Sequence, residues 1–464
     1  MAVTAYTDTF AADNLPVRAL WPEISFDLPE LQYPERINCA VELLDSMVAN
    51  GCAEKNALFG ANETWTYAQL QAHVNRIACV LRDDLKLVTG SRVLLRGSNS
   101  PMLAACVLAV LKAGYIAVPT MPLLRAKELA VIIDKAQISA ALCAGSLREE
   151  LEHARDMCPG LRSLVYFHDA APEALEQRMA AHAETFDAVD TAADDVCLIG
   201  FTSGTTGIPK GTMHFHRDVL AICDCFPRST LQSKADDIFI GTPPLAFTFG
   251  LGGLLLFPLR VGAATVLLEK LTPETLLQAI QKYRATVCFT APTSYRQMVP
   301  LVAKYDISCL RKSVSAGEAL PAATRENWRQ ASGLQMIDGI GSTEMLHIFI
   351  SAADDAVRSG ATGKPIPGYQ ACVLDDDGNP VAPGIVGRLA VKGPTGCRYL
   401  ADDRQKNYVC NGWNLTGDAY QMDVDGYFWY KARTDDMIIS AGYNIAGPEV
   451  EEVLLRHPLV AECA

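Results

Sequence analysis

The chain has 464 residues, 50% of them hydrophobic, and a formal net charge of -13. That is enough apolar material for a large core, and the negative balance argues against a phosphate-backbone partner such as DNA or RNA. Its 15 cysteines include no CxxC pair, Cys223 and Cys225 being the closest two, and residues 1–14 carry neither a basic cluster nor an apolar core, so the expectation is a cytoplasmic protein with reduced thiols and no signal peptide.

In chain order, Arg92-Val-Leu-Leu-Arg96 reads as a strand, Ser100-Pro101 as the cap and first turn of an apolar helix to Lys112, and Tyr115 to Val118 as the next strand after Gly114. Lys112 also interrupts the apolar run 102–118, and Pro258 with Arg260 interrupts 249–261, so neither is expected to span a membrane. Asp195-Val-Cys-Leu-Ile-Gly-Phe201 is a buried strand feeding Thr202-Ser-Gly-Thr-Thr-Gly-Ile-Pro-Lys210. In that loop Gly204 and Gly207 let backbone N–H groups approach phosphate oxygens, Ser203, Thr205 and Thr206 add hydroxyls, and Lys210 adds a positive charge. A Walker loop counted from Gly204 requires glycine where Pro209 stands, so this is a different kind of phosphate loop; taken alone, it also reads as an ordinary surface turn.

Ala263 to Leu268 is a second strand region, Thr272-Pro273 caps a helix through Tyr283, and Ala285 to Thr290 is a further strand. The repeated βαβ pattern predicts an α/β fold with a mainly parallel sheet, in which Phe201, Thr290 and Asp338 introduce loops at strand carboxyl ends, where ligands bind. From about Ala371 the pattern changes to short strands, Ala371 to Leu374, Arg388 to Val391 and Tyr427 to Tyr430. Pro448 to Arg456 has helical spacing.

The loop from Thr202 to Lys210, Ser315-Ala-Gly-Glu-Ala-Leu-Pro321, Asp338-Gly-Ile-Gly-Ser-Thr-Glu344 and Trp413-Asn-Leu-Thr-Gly-Asp418 with Tyr430-Lys-Ala-Arg-Thr-Asp-Asp436 together resemble, in order, the motifs of the adenylate-forming superfamily of acyl-CoA synthetases, peptide-synthetase adenylation domains and luciferases. The resemblance implies a large N-terminal AMP-binding domain over 1–434, with a β-rich subdomain at about 365–432, and a hinge and the start of a mobile C-terminal domain over 435–464. It implies ATP and Mg²⁺, with Glu344 as metal ligand and Thr202, Ser203, Gly204, Thr205, Thr206, Gly207, Lys210, Ser342 and Thr343 around the phosphates. Ala316, Gly317 and Glu318 are implied at adenine, Asp338 and Gly339 in the magnesium and phosphate segment, and Asp418, Tyr430 and Arg433 at the ribose. Asp435 matches the hinge, and Gly442 and Tyr443 the loop facing a thiol tunnel used by CoA.

Pro244-Leu-Ala-Phe-Thr-Phe-Gly250 matches the family's aromatic motif beside the acyl pocket. Amino-acid-activating relatives place Asp just after that aromatic; Thr248 stands there, which disfavours an α-amino acid. The run Asp338 to Phe349, and Leu28 to Cys39, resemble benzoate-CoA and 2-aminobenzoate-CoA ligases. This implies an aryl-CoA ligase, an aromatic carboxylate as substrate, a pocket of Ala246, Phe247, Phe249, Ile340 and His347, and a monomer or homodimer without membrane or nucleic-acid partners. Core packing is the competing reading for each of these aromatics and for His347. The family's Pro-Lys-Thr-x-Ser-Gly-Lys-like segment is absent from these residues. The expectation is a truncated chain impaired in adenylation, with a carrier-protein-loading domain or a noncatalytic nucleotide binder as alternatives.

Overall fold

The computed structural model describes residues 3–202 and 209–434, and beyond them residues 438–440, 443–445, 450, 453–454 and 460. One six-stranded sheet has the order Ser163–Phe167, Ala140–Ala144, Arg92–Arg96, Ile116–Thr120, Val196–Thr202, Lys210–Phe215, all neighbours parallel except the last two. A nine-stranded sheet runs Lys364–Pro365, Ile348–Ala352, Met336–Gly341, Lys312–Ser315, Val287–Thr290, Ile238–Gly241, Ala264–Val266, Asn56–Phe59, Thr64–Thr66. It is parallel from Asn56–Phe59 to Met336–Gly341 and antiparallel at both margins.

The two sheets share a helical layer. Helix Pro101–Lys112 has every residue buried, which its almost wholly apolar sequence allows. Ser100 caps it by accepting the Leu103 N–H at 3.2 Å, and its single charge, Lys112, pairs with Asp45 at 2.7 Å. Strand period two divides the cores: Val93 and Leu95 pack into this central layer together with Phe289 of the other sheet, whereas Leu94 joins Val118, Ile133 and Met213 on the far side. Ile240, Ile280, Cys288 and Trp328 fill the corresponding outer face of the nine-stranded sheet. The result is an α/β sandwich of helix, sheet, helix, sheet and helix layers.

The helix after Thr272 runs Pro273–Tyr283 as expected, with Thr272 and Thr275 capping each other reciprocally. Expected strands 263–268 and 285–290 are the shorter Ala264–Val266 and Val287–Thr290, and Ile238–Gly241 lies between them. Asp338 does not end its strand: Met336–Gly341 continues through it, because the chain then turns back into an antiparallel partner, Ile348–Ala352.

The β-rich region is a five-stranded antiparallel sheet in which the strands expected at 371–374, 388–391 and 427–430 are Gln370–Leu374, Val386–Lys392 and Phe428–Arg433. Its longest strand, Trp413–Met422, was not expected. The buried face of its first half is polar, Asn414, Thr416 and Asp418, so hydrophobic alternation does not reveal it. The region is tied to the six-stranded sheet by residues 398–400: the Met213 N–H donates to the Arg398 carbonyl and the Leu400 N–H to the Gly211 carbonyl, both at 2.8 Å, bracketing a Thr212 to Tyr399 bridge.

Beyond residue 434, Ile438–Ser440 and Tyr443–Ile445 pair as an antiparallel hairpin. Of the helix expected over Pro448 to Arg456, residues 450, 453 and 454 are helical and the others lie outside the described residues. Among the described residues no helix is long and apolar enough to cross a membrane.

Candidate active site

Lys210 opens the strand that pairs antiparallel with Val196–Thr202, in register with Thr202, so both residues flank the phosphate-loop candidate. Ser203, Gly204, Thr205, Thr206 and Gly207 lie outside the described residues. The Thr202 hydroxyl is buried and has no hydrogen-bond partner among the described residues, which leaves a donor at the loop's entrance. The Lys210 ammonium lies 3.8 Å from Glu344 Oε1, with the Tyr399 ring 4.9 Å and the Tyr408 ring 5.6 Å from it.

Glu344 sits in the turn between Met336–Gly341 and Ile348–Ala352, with 6% of its surface exposed. Ser342 Oγ accepts the Met345 N–H at 3.2 Å, so it also serves the turn. The Thr343 carbonyl accepts from the Leu346 N–H at 3.2 Å and from His214 Nε2–H at 2.8 Å. A carbonyl only accepts, so His214 carries its proton on Nε2. Burial pushes the His214 pKa down to about 4 against the opposing charge of Asp218, so the ring is neutral. Tyr399 Oη donates to Glu344 Oε1 at 2.5 Å. Neither Tyr399 nor Tyr408 was singled out in the sequence; an aromatic in a polar stretch carries no motif by itself.

Asp418, 8% exposed, accepts from Arg433 Nη1 at 2.9 Å. Burial raises the Asp418 carboxyl above its ordinary range, Arg433 pulls it back, and the Glu344 charge pushes it up further, which places Asp418 and Glu344 in one electrostatic neighbourhood. Gly417, at φ +79, makes this close approach possible: a Cβ there would stand 2.9 Å from Arg433 Nη2. Tyr430 meets Tyr420 edge-on with centroids 5.5 Å apart.

Ala316 is buried at the end of Lys312–Ser315, followed by Gly317 at φ +91. Glu318 is exposed, and its Oε2 accepts from the Thr293 hydroxyl at 2.7 Å, linking the carboxyl ends of two neighbouring strands. Asp338 lies 3.6 Å from Arg325, and burial raises its carboxyl to about 7 despite that cation. Gly339 lies under Ile348, where a Cβ would approach to 2.8 Å.

His347 closes the same turn and is 2% exposed. Phe257 lies 4.4 Å, Phe226 5.7 Å, Phe249 5.8 Å and Phe289 6.4 Å from its ring centroid. Neither ring nitrogen makes a well-formed hydrogen bond among the described residues; burial lowers the pKa to about 3, a fall that the nearby Phe249 backbone opposes. The helix Thr248–Leu251 continues through a wider π-type stretch, Gly252–Leu256, into Phe257–Arg260. Its glycine permits the approach, since a Cβ on Gly252 would stand 2.4 Å from His347 Cδ2. Phe226, Phe257 and Phe289 were missed in the sequence because each lies on an ordinary apolar element. Ala246 and Ile340 are half-buried and Phe247 is 46% exposed; the phenyl beside His347 is Phe249. Asp435 and Gly442 lie outside the described residues, and Tyr443 is described only as part of a short strand.

Residues 46–399 match the model of the AMP-binding enzyme family. Benzoate--CoA ligase of Thauera aromatica is 32% identical over 442 residues, covering 94% of this chain and 84% of the relative. The 4-hydroxybenzoate--CoA/benzoate--CoA ligase of Rhodopseudomonas palustris is 29% identical, covering 92% and 80%. Among solved structures, the anthranilate CoA ligase AuaEII in complex with anthranoyl-AMP superposes with a TM-score of 0.89 at 31% identity, covering 94% of this chain and 86% of that one. A benzoate CoA ligase from Burkholderia xenovorans LB400 gives 0.83 at 30%, covering 92% and 85%. The motifs, the sandwich that carries them and these matches lead to one conclusion: the chain belongs to the AMP-binding enzyme family.

Proposed function

We propose that this chain is an AMP-forming aryl-CoA ligase that joins a benzoate- or 2-aminobenzoate-type acid to ATP as an acyl-adenylate, releasing pyrophosphate, and then exchanges AMP for CoA. The observation that carries this reading is His347: a buried, neutral imidazole with no well-formed hydrogen bond among the described residues, set among phenyl rings, three residues along one turn from Glu344. Aromatic walls with one unsatisfied polar group suit a flat ring bearing a carboxylate or amine.

A carboxylate attacking the α-phosphate brings two anions together, so the protein must neutralise and align them. Lys210, free to leave its 3.8 Å approach to Glu344, supplies charge to the phosphates with the hydroxyls of Thr202 and Thr343. Asp418 accepts the ribose hydroxyls while Arg433 holds its other side. The residues present fit Mg²⁺: Glu344 offers a hard carboxylate oxygen, and the ion, when bound with ATP, adds positive charge at the phosphate oxygens.

The test is thermal stabilisation by nonhydrolysable acyl-sulfamoyl adenosines carrying benzoyl, 2-aminobenzoyl, hydroxybenzoyl, hexanoyl and aminoacyl groups. A shift larger for one aryl analogue than for hexanoyl and aminoacyl supports the reading, and equal or absent shifts overturn it. Saturable thioester formation with free CoA separates a CoA ligase from a carrier-loading domain, and pyrophosphate release measures the first half-reaction.

A further inference from the structure

Glu344 carries two contacts on one oxygen. Tyr399 Oη–H donates to Oε1 at 2.5 Å, and the Lys210 ammonium lies 3.8 Å from that same atom. Both of these contacts are to Oε1, and no hydrogen bond or ion pair to Oε2 is seen among the described residues. The lysine contact is too long for a direct hydrogen bond, whereas the tyrosine contact is a short one to an ionisable acceptor. Once Lys210 turns to phosphate, Tyr399 is the group that still holds the carboxylate.

Tyr399 is itself held from several directions. Its N–H donates to Gln405 Oε1 at 2.9 Å, and its backbone bridges to Thr212 between two further inter-segment hydrogen bonds. Its ring meets Tyr408 edge-on at 5.6 Å, and only 1% of its surface is exposed. A donor fixed this firmly restricts the Glu344 side chain, which on its own has several rotamers to lose on ordering.

We propose that Tyr399 is a positioning residue that pins Glu344 Oε1 so that Oε2 is presented to the divalent cation accompanying ATP. This rests on the reading of Glu344 as the carboxylate that holds that cation. Tyr399 does not touch nucleotide in this scheme; it acts through Glu344, as the outer partners of metal-binding side chains do elsewhere.

Tyr399→Phe keeps the ring, its packing on Tyr408 and its face towards Lys210, and removes only the donor. The experiment measures, for the full chain, Mn²⁺ affinity in the presence of a saturating nonhydrolysable ATP analogue, and separately the affinity of that analogue in a chelator. The variant is expected to bind Mn²⁺ about 10-fold more weakly, at the low end of losses seen for outer partners of metal ligands, with metal-free nucleotide affinity and melting temperature unchanged. Mn²⁺ affinity within twofold of the parent in a folded variant overturns the proposal. Tyr399→Met, similar in length and without a donor, gives the same readout should the Phe variant not fold. Glu344→Gln separates the two layers: if it leaves Mn²⁺ affinity intact, the reading of Glu344 falls; if it weakens Mn²⁺ binding and Tyr399→Phe does not, only the role of Tyr399 falls.

Discussion

Arg398 and Asp218 form an ion pair at 2.8 Å in which neither side chain has any exposed surface. The guanidinium also lies 4.2 Å from the Phe215 ring centroid and 4.9 Å from that of Trp21, so three distant stretches of chain meet around one buried cation. Burial lowers the Arg398 pKa and Asp218 opposes the fall. Removing one partner leaves an uncompensated buried charge. Asp218→Asn is therefore expected to cost about 3–5 kcal/mol, and Asp218→Leu with Arg398→Met less than the sum of the single changes. Denaturant titration measures both, and a loss below about 1 kcal/mol for Asp218→Asn contradicts the account.

The buried histidines predict acid sensitivity. His347 titrates near 3 and His214 near 4 in the folded chain, both below the ordinary value of 6.5. Between those limits the unfolded state binds more protons, so their contribution is fully present above about pH 6.5 and is lost as pH falls through that window. His347→Phe is expected to flatten the fall of melting temperature between pH 6.5 and 4. Asp338 works in the opposite sense: its folded value is about 7 against 3.8, so its contribution is full below 3.8 and lost as pH rises through 7. The melting-temperature difference between Asp338→Asn and the parent is expected to be more positive at pH 8 than at pH 4. Unaltered pH slopes in both variants contradict these assignments.

Gly252→Ala places a methyl 2.4 Å from His347 Cδ2 and 2.9 Å from its Nε2, in a site packed on all sides by phenyl rings. Overpacking of this kind costs about 1–3 kcal/mol. The expected result is a lower melting temperature together with a weaker response to aryl adenylate mimics than to AMP. Equal responses to both ligands in the folded variant count against the pocket.

Asp418→Ala removes the carboxylate that pairs with Arg433 at 2.9 Å. AMP binding, measured by calorimetry, is expected to weaken about 10-fold or more, the scale of one or two hydrogen bonds to a charged group. Arg433→Met should weaken it less, because the Arg433 side chain is 43% exposed and its charge is screened. Unchanged AMP affinity in Asp418→Ala removes Asp418 from the ribose role.

Much of this site was legible as local pattern. Helix Pro273–Tyr283 announces itself through its threonine cap and proline, and Lys210, Glu344 and Asp418 are marked by short motifs with fixed spacing. What escaped is what depends on tertiary approach. Tyr399 reaches Glu344 across 55 positions of sequence, and Arg398 reaches Asp218 across 180, separations at which no periodicity survives. Trp413–Met422 escaped for a different reason: its buried side chains Asn414, Thr416 and Asp418 are polar and engage their groups in hydrogen bonds, Asn414 to the backbone of Val391 and Cys397 and Asp418 to Arg433, so the alternation that marks ordinary strands is inverted. The motif's spelling does not encode how far each ring is buried: Phe247 precedes the helix that starts at Thr248 and is 46% exposed, whereas Phe249 is half-buried beside His347.

Lys210–Phe215 is the last strand of its sheet, and among the described residues the far side of its backbone is met by Arg398–Leu400. As the ribosome makes this protein, that strand is complete long before its cover exists. Until residue 400 has emerged, its outward N–H and C=O groups form an open template on which another nascent copy can pair. Chains halted in this interval should therefore be aggregation-prone. The late-made β-rich region then acts as a clasp on the early-made sheet, bringing Tyr399 to Glu344 in the same closure that protects the strand bearing Lys210.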